Sequence, residues 1–291
     1  MKVGVLTRQA GEGSAARLEA AFNARGHVVE CINTRELTLE LENGALRLVR
    51  EGEPLPSYDL VLGRVGHHST SLGLHVLEHL EGMGYRVSPT ADALRISRNK
   101  LLAMQRLTRA GLRVPHTAFV AHSEDLAPAI ERLGGAPLIV KMLEGAKGRG
   151  VMLAESNRAA HAIADTFLAM EKPLLVQEFV EESRGRDIRL FVVGDQVIGA
   201  VRRRASGEEF RSNVYLGAKA ETVEAKPDFI DAAIRATKTL GLEISGVDVL
   251  EGRDGPVILE VNSSPGILGM EGTTGIDIAG AIAEHFEKVL A

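Results

Sequence analysis

The stretch Ser245–Gly266, SGVDVLEGRDGPVILEVNSSPG, limits what this chain can fold into more than any other. Two β-branched runs, Gly246–Leu250 and Val257–Val261, flank Glu251–Pro256, whose Gly, Asp and Pro read as a turn, so the segment is a β-hairpin. Side chains repeat every two residues along a strand. Asp248 therefore points away from Val247 and Val249, while Glu260 and Asn262 share a face that Leu259 and Val261 avoid. Symmetry about Asp254 sets Asp248 opposite Glu260. Carboxylates facing each other in a greasy ribbon repel, and burying them unpaired costs roughly 2–5 kcal/mol. A divalent cation removes that cost. An all-oxygen donor set without Cys or His suits Mg²⁺ or Mn²⁺, which keep positions open for water and phosphate. The plain alternative is a solvated face whose acids only keep it soluble.

The rest of the chain has room for such a site. Its 291 residues suffice for two or three domains with substantial cores. Hydrophobic residues at 45% and charged residues at 25% are those of an ordinary globular protein, and a net charge of −5 offers no basic field for nucleic acid. The single cysteine, Cys31, cannot form an internal disulfide and reads as a small apolar residue, which suits the reducing cytoplasm. The apolar run before Arg8 is too short for a secretory signal, and no run is long enough to span a membrane.

Strands are expected at Lys2–Leu6, His27–Ile32, Tyr58–Leu62 and Tyr85–Val87, with helices at Ser14–Arg25 and Ser71–Met83 and a small hairpin over Leu39–Val49 turned at Asn43-Gly44. This β-α-β order describes an α/β domain over residues 1–94 with a largely parallel sheet. Ser97 is read as the cap of a helix running to Ala110. Strands follow at Pro137–Leu143, Val151–Ala154, Leu174–Phe179, Ile188–Val193 and Gln196–Arg202, and helices at Arg158–Met170, Phe229–Leu240 and Ile276–Val289. Mixed elements divide into two α+β subdomains, 95–176 and 177–291.

Two motifs compete for a function. Gly11–Ala16 fits the loose dinucleotide pattern G-x-G-x-x-A with Glu30 downstream, which would suit a nicotinamide oxidoreductase; yet four residues separate Leu6 from Gly11, where the pattern wants none. His75-Val-Leu-Glu-His79 matches H-x-x-E-H, a zinc-hydrolase pattern that would need a third ligand; such histidines also belong on surface helices.

A better-supported chemistry joins Lys141 to the opening hairpin. Lys141 interrupts the apolar strand Leu138–Leu143, and a buried lysine without an anion would have a strongly depressed pKa. Gly145, Gly148 and Gly150 just beyond it let backbone N–H groups close over phosphate, with Lys147 and Arg149 adding charge. The loop lacks G-K-[ST], so it is no Walker A motif. Triphosphate and divalent metal are used together, which ties this loop to Asp248, Glu260 and Asn262.

Asn99-Lys100, Leu138–Lys141, Val176–Phe179, Arg211–Asn213, Gly246–Asp248 and Glu260–Gly266 resemble the ATP-grasp ligases. Asp187–Arg189 and Gly272–Asp277 extend the likeness to nearly the whole chain, which looks most like the RimK-type α-L-glutamate ligases, enzymes that add glutamate to the C-terminus of a ribosomal protein. The resemblance implies an ATP-grasp fold behind an N-terminal Rossmann-like, pre-ATP-grasp domain. It implies that Lys100 and Lys141 hold phosphates, that Glu178 and Phe179 lie at the adenine edge, and that Asp187 meets the ribose. Arg211, Ser212 and Asn213 would reach the phosphates, and Asp248, Glu260 and Asn262 would bind two Mg²⁺ or Mn²⁺ ions. A cytoplasmic homodimer or homotetramer acting on L-glutamate and an acidic protein C-terminus would follow, with no membrane or direct nucleic-acid partner.

Arginines cluster at Arg184, Arg186, Arg189, Arg202, Arg203, Arg204 and Arg211 in an otherwise acidic chain, which marks a local anion site. Alternation separates Arg203 from Arg202 and Arg204, and we expect Arg189 and Arg203 on substrate carboxylates, Arg203 also at the tetrahedral oxyanion. Gly272–Gly275 is expected to open the last helix and offer free N–H groups to a carboxylate. An RNA-facing patch, a non-enzymatic ATP module, a dipeptide ligase and a LysX-like enzyme that glutamylates a biosynthetic carrier protein are the competing readings.

Overall fold

A computed structural model describes residues 1–8, 11–66, 69–143, 150–207, 209–212 and 217–291. The chain opens with β1 (Lys2–Thr7), α1 (Gly13–Ala24) and β2 (Val28–Asn33), and then the hairpin β3 (Leu37–Glu42) and β4 (Ala45–Arg50), to which β5 (Glu53–Pro54) adds a third strand. The β3–β4 turn sits at Asn43-Gly44, both with positive φ, the backbone that Asn-Gly hairpin turns require. β6 (Leu60–Gly63), α2 (Thr70–Gly82) and β7 (Val87–Ser88) complete a parallel sheet of order β2-β1-β6-β7. Leu77 and Leu80 of α2 cover one face of it and Leu18 and Phe22 of α1 the other.

Two helices then follow where one was expected. α3 (Ala91–Arg98) is capped by Thr90, whose hydroxyl accepts from Ala93 N at 3.1 Å, and α4 (Lys100–Arg109) by Asn99, whose side chain accepts from Leu102 N at 3.0 Å. Ser97 is not the cap. It lies inside α3 and donates to Leu94 O, because extended Asn99 (φ −98°, ψ 105°) breaks the helix one residue beyond Arg98. The expected division at 94/95 therefore falls inside α3, whose Ala93 and Ile96 join Ala103 and Leu107 of α4 in the core of the last sheet.

β8 (Thr117–Val120), α5 (Leu126–Arg132), β9 (Leu138–Met142), β10 (Val151–Ala154), α6 (Asn157–Leu168) and β11 (Leu174–Glu178) form an antiparallel sheet of order β10-β9-β11-β8. Leu138, Val140, Leu174 and Val176 face α5 and α6. The opposite face carries Lys141, which pairs with Val151 and Leu175. The expected boundary at 176/177 cuts β11. The glycine loop at Gly145–Arg149 lies outside the described residues.

The last sheet has the order β14-β13-β12-β15-β16, built from β12 (Arg186–Val193), β13 (Gln196–Arg204), β14 (Lys219–Thr222), β15 (Ile244–Gly252) and β16 (Gly255–Asn262). α7 (Pro227–Thr239) packs Phe229, Ala233 and Ala236 on Leu190, Val247 and Val249 of one face. α8 (Ile267–Thr274) and α9 (Ile278–Leu290) cover Phe191 and Val193 on the other, and α9 also meets α1, joining the first and last layers in one core. The eight-residue α8 was not foreseen. Gly272-Thr-Thr is its last turn, and Gly275 its left-handed C-cap, so this stretch exposes carbonyls rather than N–H groups and cannot serve as the expected carboxylate cradle. No helix among the described residues is long and apolar enough to cross a membrane.

Candidate active site

The β15–β16 hairpin brings Asp248 opposite Glu260, as symmetry about Asp254 requires, but for another reason. Gly252 pairs with Gly255, so the turn is the two-residue Arg253-Asp254, which by itself would set Asp248 against Leu259. A bulge between Asp248 and Val249 makes Leu259 the extra residue and restores the pairing. Arg189 of β12 lies beside Asp248 on the other side, and Asp187 pairs with Arg203 of β13. One face of this sheet thus carries a continuous row of charge.

Arg189 grips Asp248 with both prongs, Nε to Oδ1 and Nη2 to Oδ2, each at 2.6 Å. Arg203, whose side chain is 4% exposed, donates to Asp187 through Nε at 2.7 Å and Nη2 at 2.5 Å, and reaches Asp248 Oδ2 at 2.9 Å. Ser212 Oγ adds a bond to Asp187 at 2.6 Å. Burial works against the Arg203 charge, yet Asp248 and Asp187 hold it above its usual pKa. Burial likewise opposes ionisation of Asp248, and the two arginines overcome it and push its pKa down. At Asp187 burial outweighs Arg203, and its pKa rises.

Arg189 and Arg203, expected on substrate carboxylates, meet acids of the chain itself in the structure. Both are spent on fixing buried carboxylates, a use that strand alternation cannot reveal because it depends on which acid sits across the ladder. Asp187 and Ser212, expected at the ribose and phosphates, belong to the same cluster. Arg211, expected at phosphate, is paired with Glu209 at 2.7 Å. Glu178 accepts from His116 N at 2.9 Å, and Phe179 lies under the Arg184 guanidinium, 5.1 Å from ring centre. Asn213 and Gly148 lie outside the described residues. Gly150 has φ +72° and closes the base of the loop, its O accepting from Met142 N at 3.0 Å.

The opposite wall is basic. Lys141, 6% exposed, has no hydrogen bond among the described residues, and burial pushes its pKa down to about 8, against the pull of Glu260 and with the repulsion of Lys100. Lys100 Nζ donates to Leu143 O at 3.2 Å. Glu260 is half-buried, makes no hydrogen bond among the described residues, and attracts both Lys141 and Arg98. Asn262 Nδ2 bonds Gly246 O at 3.2 Å and leaves its oxygen uncommitted.

The donor set suits a divalent cation. Two Arg189 hydrogen bonds and the Arg203 ion pair occupy Asp248, and a carboxylate offers about four lone-pair sites, so one remains on Oδ1. Glu260 and the Asn262 oxygen complete a set of hard ligands. Among the described residues no cluster of three or more His, Cys, Asp or Glu could hold a metal, which leaves the zinc pattern without support. His79 instead turns inward, its Nε2 2.9 Å from Arg47 O. Glu30, the acid of the dinucleotide pattern, is occupied by Tyr58 at 2.6 Å and by Arg50.

Two features lay beyond the sequence reading. Arg64, directly after β6, donates through Nη2 to Pro265 O at 2.5 Å, and Arg98, at the end of α3, donates to Val65 O at 2.6 Å. Burial and the neighbouring Arg98 lower the Arg64 pKa to about 10. The signal available was Arg64 at the carboxyl end of a parallel strand, where open α/β sheets bind ligands. A separate cavity of about 430 Å³ is lined by Arg8, Arg35, Ser69, Ser71, Leu72 and His75.

Known proteins carry the same pattern. The profile of the RimK-like ATP-grasp domain matches residues 97–286, and that of the RimK PreATP-grasp domain matches residues 1–94. A protein of Vibrio vulnificus named "Probable alpha-L-glutamate ligase" is 41% identical over 288 residues, 99% of this chain and 96% of its own. The crystal structure of a RimK domain protein ATP-grasp from Sphaerobacter thermophilus superposes with a TM-score of 0.74 at 25% identity, covering 98% of this chain and 99% of that one. The ATP-grasp ligase PsnB, solved with a phosphomimetic variant of its minimal precursor, Mg and ADP, has the same fold at 21% identity, with a TM-score of 0.76 over 99% of this chain and 98% of its own.

Proposed function

Because the chain belongs to the RimK-like ATP-grasp family and is an ATP-dependent ligase, we propose that it joins L-glutamate to the C-terminal glutamate of a protein, a ribosomal small-subunit protein by the resemblance of its motifs. The carrying observation is Lys141, a buried ammonium with no hydrogen-bond acceptor among the described residues and within reach of the Glu260 charge. An anion as charged as a triphosphate is the partner such a group needs.

The acceptor carboxylate attacks the γ-phosphorus, ADP leaves, and an acyl phosphate forms. The glutamate amine then attacks the acyl carbon, expelling phosphate and giving up its proton to leave an amide. No side-chain nucleophile enters either step. Lys141 and Lys100 neutralise and orient the transferred phosphoryl group. Asp248, Glu260 and Asn262 would hold one or two Mg²⁺ or Mn²⁺ ions, which supply further charge neutralisation at the phosphates. Arg189 and Arg203 act at one remove, keeping Asp248 ionised and aimed. Glu178, Phe179 and Asp187 frame the nucleoside, and Gly148, Gly150, Arg211, Ser212 and Asn213 frame the phosphates. The acyl phosphate has to be kept from water until the amine attacks.

Arg8 and Arg35, exposed and outside any ion pair among the described residues, give the separate cavity a charge that suits an acidic chain end. Residues 1–94, 95–176 and 177–291 serve respectively as the acceptor-facing, loop-bearing and metal-bearing parts. We assign the enzyme to the cytoplasm and to a homodimer or homotetramer, which would cover Val28 and Leu41, 63% and 79% exposed. Incubation with ATP, Mg²⁺, single amino acids and acidic peptides tests the whole reading: phosphate release and a glutamyl mass ladder are expected with glutamate alone. Equal release with neutral amino acids would refute it.

A further inference from the structure

Arginines in this protein are either exposed or matched to an acid, with two exceptions. Among the described residues, every arginine outside an ion pair is exposed except Arg64 and Arg98. Both are partly buried and heavily desolvated, and each repels the other. Their only side-chain acceptors are carbonyls, Pro265 O and Val65 O, which take one N–H each and no charge. Arg98 Nε is buried with no partner at all.

A structural role accounts for little of this. The two carbonyl bonds fasten α3 to the segment after β6, and that segment to the loop after β16, and a neutral donor could do both. Two desolvated guanidiniums outside any ion pair among the described residues, with Glu260 acting on Arg98 alone of the two, cost more than two such bonds return. Their place is informative: Arg64 stands at the carboxyl end of a central parallel strand, and Arg98 is close enough to Glu260 to feel its charge. Both side chains are only partly buried, and the Glu260 that acts on Arg98 also acts on Lys141.

We infer that Arg64 and Arg98 form a two-guanidinium seat for a glutamate side-chain carboxylate, placed on the N-terminal wall of the crevice. Fork-shaped donors grip a carboxylate by paired N–H bonds, and a second guanidinium supplies the other side. The seat rests on the glutamate-ligase reading and deepens it by naming what selects the acid. It takes either the free amino acid or the last residue of the acceptor, since both carry the same group.

The test measures kcat/KM for free glutamate against glutamine with one acceptor peptide, and for peptides ending in Glu against Gln with one amino acid. Arg64→Gln and Arg98→Gln should lower one of these two ratios by about 10- to 100-fold while ATP affinity stays within about threefold. The ratio that moves identifies the source of the carboxylate. Should either Gln variant fail to fold by circular dichroism, Arg64→Lys and Arg98→Lys, which keep the charge and lose the fork, must lower the same ratio. Unchanged ratios in folded variants of an active enzyme overturn the seat alone, as does an equal loss of ATP affinity. Absence of glutamate-dependent phosphate release in the unmutated protein overturns the ligase reading and the seat together.

Discussion

Asp248 and Glu260 face each other across one hairpin, yet their removal should damage the protein in different ways. Asp248 is 3% exposed, receives two charged N–H bonds from Arg189 at 2.6 Å each, and forms an ion pair with Arg203 at 2.9 Å. Asp248→Asn keeps the volume but turns an amide N–H₂ or a neutral oxygen toward two buried guanidiniums, leaving Asp187 as the sole counter-charge. Breaking a buried pair by removing one partner costs about 3–5 kcal/mol, a third or more of the stability of an ordinary domain at roughly 5–15 kcal/mol. Glu260 is half-buried and has no hydrogen bond to lose, so Glu260→Gln weakens only its attraction to Lys141 and Arg98, below about 1 kcal/mol. Both substitutions remove a charged oxygen from the same phosphate-facing patch, and both should cut turnover at least about 100-fold, or roughly 2.7 kcal/mol of barrier. Urea unfolding and glutamate-dependent phosphate release, run on the same preparations, separate the two effects. Equal loss of stability in the two variants would refute the assignment of Asp248 to the arginine cluster. Near-normal turnover in Glu260→Gln would refute its place among the metal ligands.

Lys141→Met should weaken ATP binding in calorimetry while raising the melting temperature at pH 7. The folded pKa of about 8 lies below the ordinary 10.5, so the charged form is penalised in full below pH 8, by at most about 3 kcal/mol, and the variant's advantage should shrink between pH 8 and 10.5, where the folded wild type sheds the proton that the unfolded chain keeps. An advantage that grows over that range would contradict the burial of the ammonium. Asn99→Ala removes the side-chain acceptor for Leu102 N and should cost about 1 kcal/mol in urea unfolding; no loss would mean that α4 does not depend on the cap that separates it from α3. Gly194→Ala should cost about 1–3 kcal/mol, because φ is +56° and the added Cβ would meet His285 Cε1 at 2.6 Å; an unchanged melting temperature would show that α9 can give way there.

Most strands were legible because their signal is local. Alternating β-branched runs ended by Gly, Asn or Asp gave β1, β9, β12 and β15 within a residue or two, and Asn43-Gly44 gave its turn outright. Three helices were missed, α3, α5 and α8, of eight, seven and eight residues, each too short to show a full apolar stripe. Tertiary packing makes them: Ala93 and Ile96 are held by the last sheet, Ile267 and Met270 by β13 and α1. The acidic hairpin was read correctly although its turn was not, because the bulge at Leu259 compensates an error of one residue. Partners across a ladder were illegible. Nothing near Arg203 in the chain announces Asp187 or Asp248, sixteen and forty-five residues away, so the sequence could not show that this arginine is held by acids of the chain.

The division of the buried cations explains why an acidic protein can serve acidic substrates. Arg189 and Arg203 are neutralised by Asp248 and Asp187, so they add rigidity and almost no net field to the crevice. Lys141, Arg64 and Arg98 are desolvated outside any ion pair among the described residues, with Glu260 acting on Lys141 and Arg98, so the local charge is positive although the chain carries −5. Such an arrangement destabilises the empty protein, since each of these groups is desolvated without a matching charge. On the proposed reading triphosphate and carboxylate would supply the missing charge, and the free energy withheld on folding would become available on binding. Neutral analogues of the same shape recover none of it, so selection for acids lies in groups left unmatched when the chain folds rather than in any attractive pair visible in the unliganded protein.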